Sequence, residues 1–228
     1  MSTGSSSSDF SAPDSLRRRF ELAQTELTIA GKDYRLLRPR NVDDLISEED
    51  FAIDERIPYW ADVWPSARIL AQHIAQYDGC GRRLLELGCG IGLPSIVAAN
   101  CGYEALATDY YAEALEFTEA NALRNDVRGV DTRLVDWRKL PDDLGQFDIV
   151  LAADVLYEKP QAGLVAAVIA ETLSPGGRAF VSDPGRRTAE VFIDECTKKG
   201  LTARCVDRVP TVDAGAKLTV SVFEASWS

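Results

Sequence analysis

The feature that most constrains the fold is a regular alternation of short apolar runs with longer stretches of helical periodicity. The apolar runs cover residues 83–87, 105–108, 132–135, 147–153 and 178–182, and the helical stretches cover residues 93–101, 111–125, 161–173 and 188–199. Apolarity within the runs is continuous, which is typical of strands that are covered on both faces. Helices that connect such strands favour right-handed crossovers and a parallel sheet. The sequence therefore predicts an α/β fold with helices on both sides of one sheet.

Both ends of the chain depart from this alternation. Residues 201–206 and 218–223 are joined by a loop with Pro210 and Gly215 instead of a helix, so we expect them to pair antiparallel at one edge of the sheet. Residues 26–29 and 34–37 alternate around a glycine and predict an N-terminal β-hairpin. After the hairpin we expect a short helix over 41–46, an acidic loop over 47–50 and a helix that runs from Pro65 to about residue 78.

The length of 228 residues favours a single domain with added elements. Residues 1–8 are almost all Ser, Thr and Gly, so we predict a disordered tail over 1–19. Residues 20–58 are predicted to form an accessory hairpin and helix. Residues 59–228 are predicted to form the main α/β domain.

Composition excludes several classes of function. A formal net charge of -11 opposes binding to a nucleic-acid backbone. Neither a membrane-spanning apolar run nor a secretory signal is present in the sequence. Five cysteines without a Cys-x-x-Cys pair, together with a single histidine, His73, argue against a zinc site and a disulfide framework. We therefore expect buried cysteines, a core histidine and a reducing, cytoplasmic location.

A glycine-rich segment follows the first apolar run. Gly88, Gly90 and Gly92 stand at alternate positions between a predicted strand and a predicted helix, and Glu86 precedes them by two residues. Glycine lets the backbone turn sharply and approach a ligand closely. The spacing differs from the Gly-x-Gly-x-x-Gly of dinucleotide-binding enzymes. The segment is a candidate for binding a nucleoside-containing ligand of another kind, although glycines also serve ordinary tight turns.

Asp109 ends the next apolar run, where a parallel strand would deliver it beside the glycine segment. A carboxylate at that place can accept hydrogen bonds from both hydroxyl groups of a ribose. The alternative is that Asp109 only caps the helix that follows. Its position after a glycine loop in a strand-helix-strand unit favours the ribose role.

The segment Glu86-Leu-Gly-Cys-Gly-Ile-Gly-Leu-Pro94, together with Thr108-Asp109, Phe147-Asp-Ile-Val and Leu173-Ser-Pro-Gly-Gly-Arg178, resembles the seven-strand S-adenosylmethionine-dependent methyltransferases. The resemblance covers about residue 60 to the C-terminus and implies a Rossmann-like, mostly parallel seven-strand sheet with an antiparallel C-terminal strand. It implies that the glycine loop and Asp109 hold the cofactor, with Asp136 near the adenine amine. No metal is implied. The cofactor-binding residues that it implies are Trp64, Glu86, Gly88, Cys89, Gly90, Gly92, Asp109, Tyr110, Asp136, Trp137 and Ala153.

Two further segments, Tyr59-Trp-Ala-Asp-Val-Trp-Pro65 and Ala153-Asp-Val-Leu-Tyr157, are similar to family sixteen of the protein lysine methyltransferases, which includes enzymes that modify the electron transfer flavoprotein β-subunit. The similarity implies a catalytic role for Asp154, which would hold a lysine amine, and for Tyr157, which would form an aromatic wall. Both residues have plainer alternatives, because Asp154 can cap a turn and Tyr157 can pack half-buried. Trp64 can likewise be a core anchor instead of a lid over the cofactor.

The resemblance thus predicts a methyltransferase that acts on a lysine of a protein substrate, with neither a nucleic acid nor a membrane as partner. One alternative is methyl transfer to a small-molecule amine or hydroxyl group. Another is a binding module that keeps the fold without catalysis, against which the intact glycine loop, Asp109 and Asp154 argue. The sequence leaves the oligomeric state open.

Overall fold

The computed structural model describes residues 13–41, residue 45 and residues 58–228. It begins with a short helix, α1 (Asp14–Arg19), and a hairpin formed by β1 (Leu22–Ile29) and β2 (Lys32–Pro39). The hairpin prediction is confirmed. The predicted tail over 1–19 is wrong at its C-terminal end, because α1 buries Leu16 in the core. The predicted helix over 41–46 and the acidic loop over 47–50 fall largely outside the described residues.

Seven strands form the main sheet, in the order β5-β4-β3-β6-β7-β9-β8. The strands are β3 (Arg83–Leu87), β4 (Glu104–Asp109), β5 (Val130–Leu134), β6 (Phe147–Ala153), β7 (Leu173–Asp183), β8 (Leu201–Asp213) and β9 (Ala216–Trp227). The pairs within β3 to β7 are parallel, and β9 runs antiparallel to both of its neighbours. The predicted Rossmann-like, mostly parallel sheet with an antiparallel C-terminal strand is therefore confirmed.

Helices cover both faces of this sheet. They are α2 (Pro65–Ile74), α3 (Leu93–Asn100), α4 (Ala112–Arg124), α5 (Lys159–Thr172) and α6 (Thr188–Lys198), and a 3-10 turn at Tyr59–Ala61 precedes them. Alternate residues of β3 belong to two separate hydrophobic clusters, since Leu84 packs with the hairpin side and Leu85 packs with the α5 and α6 side. This two-sided burial is the reason why the strands read as continuous apolar runs.

Several boundaries differ from the predictions. The helix after Pro65 ends at Ile74, since the next residues make tighter turns. The strands β7, β8 and β9 are longer than predicted, and Pro210 lies inside β8 instead of in a loop. Proline has no backbone N–H to donate, but β8 is the outermost strand of the sheet, where a proline is tolerated. Because β8 and β9 are longer than predicted, only a tight turn at Ala214 and Gly215 joins them.

The remaining predictions from composition concern His73 and the cysteines. His73 is buried and packs against the ring of Phe180 at 4.8 Å, so it is a core residue as predicted. All five cysteines are free, but only Cys89 and Cys196 are buried as predicted, whereas Cys101 and Cys205 are partly exposed and Cys80 is exposed. The described residues contain no group that could hold a metal ion. Among those residues, no helix is both long enough and apolar enough to cross a bilayer.

Candidate active site

The glycine loop between β3 and α3 adopts a backbone that requires glycine. Gly88, Gly90 and Gly92 have φ angles of 69°, 54° and 88°, a region that other residues rarely adopt. A Cβ atom on Gly92 would lie 2.6 Å from Cγ2 of Thr118, and one on Gly90 would lie 3.0 Å from the carbonyl oxygen of Trp60. The loop is therefore packed tightly between α4 and the segment that contains Trp60.

Glu86 lies beneath this loop and has 1% of its surface exposed. Its Oε2 atom accepts hydrogen bonds from the backbone N–H of Ser95, at 2.9 Å, and from the Ser95 hydroxyl. Ser95 is the third residue of α3, so Glu86 satisfies a free N–H at the helix N-terminus. Burial raises the pKa of Glu86 to about 8. The hydrogen bonds turn this carboxyl group towards α3, and a contact between Glu86 and a cofactor stays a prediction.

Asp109 joins the end of β4 to the glycine loop. It is buried, and its Oδ2 atom accepts the Gly90 N–H at 2.9 Å while its Oδ1 atom accepts the Tyr111 N–H at 3.0 Å. Tyr111 immediately precedes α4, so the capping role is present alongside the contact with the loop. Burial raises the pKa of Asp109, and the hydrogen bonds from the backbone oppose this effect. The Tyr110 backbone also interacts with this carboxylate. A carboxylate has about four acceptor positions, so these three contacts leave room for a further donor.

The cysteine within the loop is not a reactive thiol. Cys89 is buried, and its sulfur lies 3.5 Å from the hydroxyl oxygen of Thr118. Burial raises the pKa of Cys89 well above its usual range, which keeps the thiol protonated and unreactive.

Residues after β5 approach the loop from one side. Trp137 is half-buried, and its ring lies 3.4 Å from where a Cβ atom on Gly88 would be. Asp136 forms an ion pair of 2.8 Å with Arg138 and accepts the Arg138 backbone N–H at 3.0 Å. The Arg138 guanidinium in turn lies 5.5 Å from the ring centre of Tyr110. Arg138, which the sequence analysis did not single out, thus connects the predicted residues Asp136 and Tyr110.

Asp154 follows Ala153, the last residue of β6, and has the unusual φ angle of 62°. Its backbone N–H donates to the carbonyl oxygen of Ser182 at 2.9 Å. Its Oδ1 atom lies 2.5 Å from Nη1 of Arg186, and only 8% of its side chain is exposed. The left-handed conformation is uncommon at residues other than glycine, and aspartate adopts it more readily than most.

Arg186 links Asp154 to a second carboxylate that the sequence analysis also missed. Nη1 of Arg186 lies 3.1 Å from Oδ2 of Asp183, whose side chain is fully buried. Burial raises the pKa of Asp183. Burial alone would lower the pKa of Arg186, but the charges of Asp154 and Asp183 outweigh burial, so the pKa of Arg186 is raised. The cluster of Asp154, Asp183 and Arg186 contains two acids and one base.

Three aromatic side chains form a group on the surface, and one of them, Tyr157, follows Asp154 by three positions. The ring centre of Tyr59 is 5.9 Å from the rings of both Trp64 and Tyr157, and Nε1 of Trp64 donates to the Tyr59 carbonyl oxygen at 2.7 Å. The exposed fractions of Tyr59, Trp64 and Tyr157 are 46%, 36% and 42%. Tyr59 therefore brings two predicted residues together. Trp60 is instead a buried core residue that packs against Phe117.

The strand register brings the two halves of the site to the same edge of the sheet. Leu87 pairs with Ala152, so Gly88 and Asp154 both lie just beyond neighbouring strand ends. Val155 confirms this proximity, because its Cγ1 atom is 3.1 Å from where a Cβ atom on Gly88 would be. Open parallel sheets bind their ligands at this edge, in the crevice outside the carboxyl ends of the strands.

Comparisons with known proteins give a consistent result. Residues 79–219 match the model of a family described as a methyltransferase domain, which is more than half of the chain. The histone-arginine methyltransferase METTL23 of Xenopus laevis is 31% identical over 142 residues, which are 59% of this chain and 61% of that protein. The electron transfer flavoprotein beta subunit lysine methyltransferase of Danio rerio is 29% identical over 137 residues, which are 58% of this chain and 52% of that protein.

The chain thus spans between half and two thirds of the length of these two relatives. Among solved structures, the 16S rRNA N2 G1207 methyltransferase of T. thermophilus, in complex with AdoMet and guanosine, superposes with a TM-score of 0.63. That likeness covers 91% of this chain and 51% of the other chain, at 17% sequence identity. At this identity the likeness concerns the fold alone.

Proposed function

We propose, because this chain belongs to the methyltransferase domain family, that it transfers a methyl group from S-adenosylmethionine to a lysine side chain of another protein. The observation that carries the proposal is the register of β3 and β6, which places Asp154 beside the glycine loop. A carboxylate at that point lies where a nucleophile would meet a cofactor held by the loop. The name of the relative from Danio rerio supports a lysine as the acceptor.

The residues around the loop fit the cofactor. Asp109 is buried beside Gly90 and keeps acceptor capacity for a ribose hydroxyl group. The rings of Trp137 and Tyr110 are suited to flank a planar adenine. Arg138 holds the Asp136 carboxylate, so a hydrogen bond from the adenine amine must share that group with the guanidinium. We propose these residues, with Gly88, Gly92, Cys89, Trp64 and Ala153, as the lining of the cofactor site.

The charges near Asp154 favour a cationic acceptor. Asp154 and Asp183 together carry one more negative charge than Arg186 neutralises. An alkylammonium group would balance this charge, whereas a hydroxyl group would not. The exposed faces of Tyr59 and Tyr157 add an attraction of about 0.5–1 kcal/mol for a cation at each well-placed ring. The net charge of -11 also suits a basic protein surface.

The chain's contribution to the reaction is mainly alignment. When bound, S-adenosylmethionine supplies a methyl group that its positively charged sulfur has already activated. Asp154 accepts a hydrogen bond from the lysine amine and directs the nitrogen lone pair at the methyl carbon. The lysine ammonium group would first lose a proton to Asp154 or to water, which frees the nitrogen lone pair. The nitrogen-carbon bond would then form as the carbon-sulfur bond of the donor breaks, with the electron pair of that bond staying on sulfur. Such alignment is worth roughly 7 to 11 kcal/mol in well-oriented reactions.

Two other acceptors remain as alternatives. The name of the relative from Xenopus laevis indicates that a protein arginine is one of them. A small-molecule amine or hydroxyl is the other. For the site of action, we propose a reducing, cytoplasmic compartment, because all five cysteines are free.

The test is to incubate the purified protein with tritium-labelled S-adenosylmethionine and a bacterial lysate. We expect label in a protein band, and methyl-lysine after hydrolysis of that band. The variant Asp154→Asn should lower the transfer by about 100-fold or more, as the loss of a positioned acid-base group does, while the cofactor dissociation constant changes less than twofold. The matched control is Asp194→Asn, the same change on the exposed face of α6. Label confined to small molecules or to methylarginine would refute the lysine assignment.

A further inference from the structure

We propose that Arg186 is a positioning residue for methyl transfer, which fixes the Asp154 carboxylate so that one oxygen points to the acceptor amine. The proposal rests on the proposed function and deepens it. Asp154 and Arg186 are 32 positions apart in the sequence, and their contact forms only because β6 and β7 lie side by side.

Arg186 is itself held rigidly. It belongs to the turn after β7, where Oδ1 of Asp183 accepts the backbone N–H groups of Gly185 and Arg186 at 2.8 and 2.6 Å. Oδ2 of Asp183 contacts the Arg186 guanidinium at 3.1 Å. Because Asp183 is fully buried at the end of a strand, it can anchor the guanidinium from behind. The guanidinium is therefore a fixed reference point for Asp154 and not a mobile surface charge.

Asp154 needs such a reference point. Its backbone is in the left-handed region, and one hydrogen bond to Ser182 ties it to β7. Residues in this conformation persist only when their surroundings hold them there. The contact with Arg186 supplies that restraint on the side chain. Without Arg186, the carboxylates of Asp154 and Asp183 would share one partly buried site with no counter-charge, and their repulsion would displace Asp154.

The contact also distinguishes the two oxygens of Asp154. Oδ1 is occupied by Arg186 at 2.5 Å, whereas no partner for Oδ2 is found among the residues that the structure describes. Nη1 carries two N–H groups and also contacts Oδ2 of Asp183, so this one nitrogen holds both carboxylates. Oδ2 of Asp154 is then the oxygen that remains for the amine.

The test compares Arg186→Gln and Arg186→Lys with the wild-type protein, at saturating S-adenosylmethionine and with the bacterial lysate as the source of acceptor. We expect the initial rate to fall at least tenfold in Arg186→Gln. The fall should be smaller in Arg186→Lys, which keeps the positive charge but not the planar guanidinium group. The cofactor dissociation constant should change less than twofold in both variants. The matched control is Arg187→Gln, which removes an exposed charge from the neighbouring position and should keep the wild-type rate within twofold.

A second measurement separates positioning from a general role in folding. In Arg186→Ala, millimolar guanidinium ion should restore part of the lost rate, because the ion can occupy the space between Asp154 and Asp183. A wild-type rate in Arg186→Gln would overturn the proposal. So would a loss of rate that guanidinium does not restore, or one that equals the loss of cofactor affinity. If the wild-type protein labels nothing, the proposed function itself fails, and the inference fails with it.

Discussion

The two buried carboxyl groups next to the glycine loop have different surroundings, although both lie at the ends of neighbouring strands. The Glu86 carboxylate faces inward and accepts hydrogen bonds from Ser95, whereas the Asp109 carboxylate accepts one from Gly90 in the loop and one from Tyr111 at the start of α4. Asp109 therefore links the loop to the crevice. The residue that holds the ribose in our proposal is also a residue that holds the loop in shape.

A substitution at Asp109 should separate these two roles if two ligands are compared. Asp109→Ala removes the acceptor of the partly buried N–H groups of Gly90 and Tyr111, so stability should fall by about 1 kcal/mol for each. Binding of S-adenosylhomocysteine should weaken by roughly 1.5 to 3 kcal/mol, the value of hydrogen bonds to a charged group. Titration calorimetry with the wild type and the variant measures this, with the exposed Asp142→Ala as the control.

The second ligand is an analogue of S-adenosylhomocysteine that lacks both ribose hydroxyl groups. The wild type should bind it more weakly than the parent compound, and Asp109→Ala should bind the two about equally. If the variant loses the same free energy of binding for both compounds, Asp109 acts through the loop alone and the ribose role is wrong.

Residues that act at strand ends differ in how far the sequence reveals them. Asp109 was predictable because consecutive parallel strands are usually neighbours, which brings the ends of β3 and β4 together. The position of Asp154 followed from the family resemblance, which the family match confirms. The neighbour rule alone would have missed it, since β6 pairs with β3 and not with β5, the strand that precedes it. Arg186 and Tyr59 escaped prediction because their contacts depend on how loops fold back over the sheet edge. Such a contact leaves no periodic pattern of apolar residues in the sequence.

At the scale of elements, the N-terminal hairpin is attached to α4 by a matched pair of asparagines. Asn121 accepts the Leu37 N–H at 2.6 Å and donates to the Leu37 carbonyl at 3.0 Å, and Asn125 makes the same two bonds with Arg35. Four residues of helix rise about 6 Å and two residues of strand about 6.6 Å, so the spacings agree. The two asparagine side chains of α4 thus hydrogen-bond to the backbone of β2, as the backbone of a third strand would.

Asn121 should be the more important of the two asparagines. It is fully buried and also donates to the Ile91 carbonyl in the glycine loop at 3.0 Å. Asn121→Ala removes three buried hydrogen bonds, so we expect a loss of about 2–4 kcal/mol in the free energy of unfolding. Asn125→Ala, at a more exposed site, is the control and should cost about 1 kcal/mol. Urea denaturation at pH 7 measures both, and equal losses would contradict this ranking.

Elements of the sheet were predictable as far as local pattern specifies them. The bounds of β3 and β6 match the predicted runs because continuous apolarity ends where each strand leaves the core. The C-terminal half of β8 is mostly exposed and contains Pro210, so its sequence is typical of a loop. Pairing with β9 overrides that local preference, and only the edge position makes it possible.

At the scale of the whole molecule, the fold buries an acid that ordinary pH would ionise. The two hydrophobic clusters enclose the sheet on both faces, and Glu86 lies between them on β3, next to the middle strand β6. Burial there raises the pKa of Glu86 from 4.5 to about 8. A charge on this residue therefore disfavours the folded state, and the stability of the protein becomes coupled to pH through a residue with no contact with bulk water.

The variant Glu86→Gln should reveal this coupling. Between pH 4.5 and about 8 the folded protein keeps the Glu86 proton while the unfolded chain releases it, so this group's stabilisation is complete below pH 4.5 and declines as pH rises to about 8. Glutamine stays neutral, and its amide oxygen can accept the same bonds from Ser95. We expect the unfolding free energy of the wild type, minus that of Glu86→Gln, to fall across this window and then level off.

Urea denaturation at intervals from pH 5 to pH 9 measures this difference, and the exposed Glu158→Gln is the matched control for the substitution itself. Subtracting the variant from the wild type removes the contributions of all other titrating groups, because both proteins share them. A difference for Glu86→Gln that does not change with pH would mean that the carboxyl group ionises normally in the folded protein. That result would contradict the effect of burial on Glu86, which is 1% exposed and hydrogen-bonded to Ser95 beneath the glycine loop.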